Sequence, residues 1–167
     1  LQEAGVTLNT PAAGEHVPDI ERRIRVIKER ARACRHTLPF DFIPRVMIIA
    51  IIRNAVLWLN AFPPKGGVSK DTSPRTIITG EKFDYNKHCR LTVGAYAQVH
   101  DNETNSSPAA RTHGICLGPA SNLQGSYNFM SLVSGKVFKR SYWTELPISR
   151  EVIHRVNELG KRDGMAG

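Results

Sequence analysis

The chain lacks any apolar run long enough to cross a bilayer. Its longest, Val46 to Leu59, has 14 residues and is interrupted by Arg53 and Asn54, whereas a spanning helix needs about 20. No membrane partner is expected. Cysteine is scarce too: Cys34, Cys89 and Cys116 are odd in number and far apart, which excludes a disulfide framework and points to reduced thiols in an intracellular protein. There is no P-loop, no nucleophile elbow and no dinucleotide fingerprint, so those enzyme classes have no support. No basic segment followed by an apolar stretch opens the chain, so no leader peptide is expected. Leu1 stands where an initiator Met would, and the chain reads as a piece of a longer one.

Acid is in short supply. Lys and Arg total 23 against 15 Asp and Glu in 167 residues, a net charge of +8. Such an excess calls for a polyanionic partner, although charge alone does not separate DNA, RNA and anionic membrane. The excess is concentrated: Glu21 to Arg35 holds seven basic residues and two acids, while the first twenty residues carry −3. Smaller basic clusters lie at Lys136, Lys139 and Arg140 and around Arg155, Lys161 and Arg162. At 41% apolar, the chain has enough material for a core.

Residues 18–38 read as a helix. Pro18 suits the first helical position, Asp19 and Glu21 complement the dipole, and Pro39 forces a stop. Val17, Ile20, Ile24, Ile27, Ala31, Cys34 and Leu38 form a continuous apolar seam for packing against a core. Glu21, Arg25, Lys28 and Arg32, at spacings of four, seven and eleven, share another face. A second helix is expected from Pro44 to Asn60, apolar nearly all round and therefore buried. Thr72-Ser73-Pro74 starts a short helix that Gly80 ends.

Then the period changes. Leu91, Val93, Ala95, Ala97 and Val99 alternate within a strand over 90–100. Further β-prone runs cover 111–117, 127–133 and 136–143, with Ser134-Gly135 as a tight hairpin turn. Four or so short strands with glycine turns point to a small antiparallel barrel or sheet. An amphipathic helix from Ser149 to Leu159 follows. The fold class is α+β.

The Glu21 row has two readings. A carboxylate followed by cations on one face can hold a divalent metal beside a phosphodiester. From spacing alone the commoner reading is a solvated face, in which Glu21 and Arg25 pair for a few tenths of a kcal/mol. His88-Cys89 and His113-x-x-Cys116 lack paired metal-ligand spacing, so separate structural roles are expected of them. Asn102-Glu103-Thr104 and Asn105-Ser106-Ser107 fit glycosylation acceptors, but with reduced thiols they read as a polar loop.

Glu15-His16-Val17-Pro18-Asp19-Ile20-Glu21-Arg22, continuing through Ile24-Arg25 and Lys28-Glu29-Arg30, resembles the last catalytic helix of a copia-type retrotransposon integrase. Thr72-Ser73-Pro74-Arg75-Thr76-Ile77-Ile78-Thr79-Gly80 resembles the element that follows that catalytic core. Ser134-Gly135-Lys136-Val137 with Lys139-Arg140 resembles the hairpin of the small barrel downstream. With Asp84 to Cys89 and Trp143 to Pro147, the resemblance covers about residues 5–160 in family order.

The resemblance implies a metal-dependent polynucleotidyl transferase with an RNase-H-like core, working on DNA as a homo-multimer, in the nucleus or a cytoplasmic particle. In that family two aspartates and a glutamate hold two Mg2+ or Mn2+ ions. Glu21 matches the family glutamate, as catalytic residue and metal ligand. Arg25 and Lys28 match the DNA-contacting cations that follow it, with Arg32, Lys136, Lys139 and Arg140 as further DNA-binding candidates. Glu15 is a weaker match for the glutamate. The resemblance divides the chain into 1–64 (the end of the catalytic core), 65–89 (linker with a short helix), 90–147 (small β-barrel of DNA-binding type) and 148–167 (terminal helix and tail). Both family aspartates lie upstream of the glutamate, where this chain has only Glu3, Glu15 and Asp19. Asp19 sits two residues away, about 200° around the helix. Alone, the chain is expected to be catalytically incomplete and to hold no metal tightly. A non-catalytic nucleic-acid-binding module of a retroelement polyprotein is the alternative. An interaction helix is a further one, though Ala31 and Cys34 make a poor coiled-coil seam.

Overall fold

The computed structural model describes residues 17–100, 111–120 and 124–167. They form an α+β arrangement: α1 (Pro18–His36), α2 (Arg45–Ala61), α3 (Pro74–Thr79), α4 (Tyr85–His88), β1 (Tyr96–His100), β2 (Arg111–Pro119), β3 (Tyr127–Ser131), β4 (Val137–Arg140), β5 (Trp143–Leu146) and α5 (Arg150–Arg162).

Helix α1 starts where Pro18 predicts and stops two residues early. The Thr37 hydroxyl donates to the Cys34 carbonyl at 2.7 Å, and Pro39 disfavours helical geometry at Leu38. None of its residues is buried. Only the carboxyl-terminal half of its seam, Ala31, Cys34 and Leu38, packs on the core, while Ile20 and Ile24 are exposed. Helix α2 also departs from expectation. Met47, Ala50, Ile51, Ala55 and Ala61 are buried, but Ile49 and Ile52 are exposed, because α2 is covered by the sheet on one side and only partly by α1 on another.

Helix α3 is built as the sequence reads. Ser73 Oγ accepts the Thr76 N–H at 3.2 Å, and Gly80 takes φ +72°, a left-handed conformation that glycine adopts freely. Helix α4 was not anticipated. The Asp84 carboxylate accepts from the N–H groups of Asn86 and Lys87 and caps a single turn.

The strands run in the order β4-β3-β2-β1-β5, all antiparallel. The expected strand 136–143 is in fact two. β4 ends at Arg140 on one edge of the sheet, and β5 begins at Trp143 on the other. Three Cα steps reach at most about 11 Å, whereas edge strands of a flat five-stranded sheet lie about 19 Å apart. The sheet must therefore curl, and a register shift between Cys116 and Gly118 of β2 supplies a bend. It remains open, since β4 and β5 are its edges and are not paired with each other; the expected barrel is thus a curled sheet. The β3–β4 turn is also longer than predicted. Leu132 to Gly135 form the loop, closed by Ser131 N–H donating to the Lys136 carbonyl at 2.9 Å.

Curling gives the sheet two apolar faces. The concave side holds Leu91, Ala97, Val99, Cys116, Tyr127 and Phe129, with Phe138 and Trp143 against them. Trp143 of β5 meets Tyr127 at 4.7 Å and Phe129 at 5.8 Å between ring centroids, although two strands separate β5 from β3. On the convex side Ile115, Leu117, Met130 and Leu132 join Phe40, Ile43, Met47 and Ile51, and Val152, Val156 and Leu159 of α5. Segments 1–64, 90–147 and 148–167 thus share one cluster.

Helix α5 ties the two ends of the fold together. Asn157 Oδ1 accepts the Phe42 N–H at 3.0 Å. Asp163 Oδ2 accepts the Arg45 N–H at 3.1 Å, capping the amino end of α2, whose own cap position is Pro44. A Cβ at Gly160 would lie 2.3 Å from the Phe42 carbonyl oxygen, so only glycine permits this approach.

Candidate nucleic-acid interface

Glu21, Arg25, Lys28 and Arg32 are all exposed on α1, and their helical spacing puts them on one face. The face they occupy is not purely polar. Lys28, Arg32 and Arg35 border a trough of about 610 Å³ between α1 and α2, with Ile24, Ile27 and Ile52 in its walls. Their stems cover apolar surface while their charges stay in water.

The β4 cations divide between two faces. Strand alternation puts Val137 and Lys139 on one side and Phe138 and Arg140 on the other. Arg140 lies over the Phe138 ring at 5.7 Å, and its Nη1 donates to the Lys139 carbonyl at 2.8 Å. Lys136 and Lys139 are exposed. Val137 lines a cleft of about 360 Å³ that also contains Arg53 of α2, a cation outside the basic clusters of the sequence. The three β4-region cations are therefore not one patch.

The tail cations are engaged within the fold. Arg155 Nε donates to the Leu132 carbonyl at 2.8 Å and its Nη2 to Val133 at 2.9 Å, and it also pairs with Glu158 at 3.0 Å. That hydrogen bond holds the Glu158 carboxyl below its ordinary value. Arg162 Nη2 donates to the Ser134 carbonyl. Lys161 lies over the Phe42 ring at 4.7 Å.

The two His/Cys pairs go to different places. His113 is hydrogen-bonded to the Tyr96 hydroxyl, and Cys116 is fully buried on the concave side. His88 is buried against Phe83, with Nδ1 2.7 Å from the Asp84 carbonyl oxygen, while Cys89 is exposed. All three cysteines are free thiols, and burial pushes Cys116 up to about 12. Among the described residues no group of three His, Cys, Asp or Glu side chains could hold a metal ion. The described residues around Glu21 do not by themselves fit a two-metal centre. Glu3, Glu15, Asn102 and Asn105 lie outside the described residues.

One constellation carries no motif in the sequence. Trp58 and Phe62, one turn apart at the end of α2, stack at 6.1 Å. Phe62 stacks on Tyr85 at 6.0 Å, and Phe83 packs edge-on against both Trp58 and Tyr85. The available signal was the interleaving of Phe83 and Tyr85 with Lys82 and Lys87. Comparison with protein-family models, curated proteins and solved structures finds no match.

Proposed function

We propose that the chain is the carboxyl half of a copia-type retrotransposon integrase, contributing DNA contacts and one metal-ligating carboxylate to a larger enzyme. The observation that carries this reading is the exposed α1 row, in which Glu21 is followed on one face by Arg25, Lys28 and Arg32, ahead of a curled five-stranded sheet. Under this reading α1 closes an RNase-H-like core supplied by upstream sequence. Arg25, Lys28 and Arg32 hold phosphates, with Lys136, Lys139 and Arg140 as a separate set. Glu21 would serve Mg2+ or Mn2+ only together with two aspartates from outside this chain, and the parent would act as a homo-multimer. Backbone contacts of this kind position DNA without reading its sequence.

A salt titration of duplex binding tests the interface. Each phosphate contact adds about −0.9 to the slope of log K against log salt. Replacing Arg25, Lys28 and Arg32 by Gln should flatten that slope by about 2 to 3, and an unchanged slope would exclude α1 as the DNA face. In an intact parent, Glu21→Gln should abolish strand transfer and leave DNA affinity in place. Retained strand transfer would leave only the alternative, a non-catalytic nucleic-acid-binding module.

A further inference from the structure

A second surface, remote in sequence from the α1 row, combines exposed aromatic rings with positive charge. Phe62 and Tyr85 are 50% and 49% exposed, unusual for large rings, and they stack on each other. They are not loose side chains. Trp58 backs Phe62, and buried Phe83 wedges against Tyr85 and Trp58. The Arg75 guanidinium lies 5.9 Å from the Phe83 ring, and the Asp84 cap fixes the turn that carries Tyr85. The outer rings are thus held in place before any ligand arrives, which lowers the ordering cost of binding.

Charge lies close by. Lys65 follows Phe62 by three residues and Lys82 precedes Tyr85 by three, so each Cα is within about 11 Å of its ring's Cα, and both lysines are exposed. Rigid aromatic faces flanked by cations match the chemistry of single-stranded nucleic acid, whose unpaired bases stack and whose phosphates need counter-charge. A duplex buries its base faces and offers nothing to these rings.

We propose that Phe62 and Tyr85 form a stacking platform for unpaired bases of single-stranded nucleic acid, with Lys65 and Lys82 holding the adjoining phosphates. The proposal rests on the nucleic-acid reading above and adds a strand form and a site to it.

The test compares labelled dT20 with a dT20·dA20 duplex by fluorescence anisotropy at one salt concentration. Phe62→Leu with Tyr85→Leu should weaken dT20 binding about fivefold to a hundredfold and change duplex binding less than twofold. Equal weakening of both forms, or of neither, overturns the platform. Wild-type protein that binds duplex but not dT20 also overturns it and leaves the integrase reading standing; protein that binds neither overturns both. Should the double variant fail to fold, photo-crosslinking of wild-type protein to an oligonucleotide containing 5-iododeoxyuridine decides the matter. Adducts on Phe62 or Tyr85 support the platform, and adducts confined to other residues refute it. Concentration-dependent self-association lost in the double variant, with dT20 affinity intact, would make this face a contact between copies instead.

Discussion

Arg155 and Arg162 look, in the sequence, like the basic clusters elsewhere, yet they hold hairpin carbonyls at 132–134. What separates a structural arginine from an available one is whether a carbonyl-bearing loop folds back onto it, and one-dimensional spacing does not report that. Arg155→Ala should cost about 1 kcal/mol for each hydrogen bond lost, with little change in DNA affinity. A matched fall in affinity would return Arg155 to the interface. The thiols differ in the same way. Cys89 should react rapidly with a maleimide, Cys34 more slowly, and Cys116 only on unfolding, because burial raises its thiol to about 12. Since the unfolded thiol titrates near 9.0, the unfolded state loses its proton first as pH rises. The contribution of Cys116 to stability is intact below pH 9 and is lost between about 9 and 12. A wild-type melting temperature that falls no faster over this range than that of Cys116→Ala would refute this.

At the scale of elements, legibility followed local chemistry. α3 was readable from both ends because Ser73 and Gly80 act within one turn of their own positions, and α1 was readable from its proline and charge pattern. The same seam over-promised burial for α1. Periodicity reports which residues could face a core but not how far the covering element extends, so Ile20 and Ile24 were assigned to a core they do not reach. The run 136–143 reads as one strand because Val137, Phe138, Tyr142 and Trp143 are β-prone and no glycine or proline interrupts it. Its break at Ser141-Tyr142 follows from β1 having a free edge on the far side of the sheet, a tertiary fact. Likewise, the need for glycine at position 160 is invisible until Phe42 is seen against it. Gly160→Ala should therefore destabilise the fold, despite alanine's better helix propensity of about 1 kcal/mol, because the new Cβ would meet backbone rather than a side chain that could yield. An increase in melting temperature would show that the helix can shift to make room.

For the whole molecule, the helices and the sheet are not separable units. The convex face of the sheet, α2 and α5 complete one another's burial, and the carboxyl-terminal part of α1 packs on the same cluster, so the helix that carries the Glu21 row and the curled sheet are held as one body. The candidate site was legible as charge but not as geometry. The exception is the α1 row, which lies on one face as its spacing implies; the β4 cations split across two faces, and the aromatic cluster has no periodicity in the sequence. Its residues come from α2 and from the turn at 83–85, which meet only after folding.

The tie between α5 and the start of α2 has a temporal side. Phe42 is bonded to a residue 115 positions later and Arg45 to one 118 positions later. During synthesis, residues 40–51 must wait for residues 150–163 before their share of the core can close. Contacts of such sequence separation slow folding, and the part of the shared cluster that Val152, Val156 and Leu159 fill stays open meanwhile. A chain ending near residue 147 would lack Val152, Val156 and Leu159 and leave their apolar partners in that cluster facing water until α5 is made.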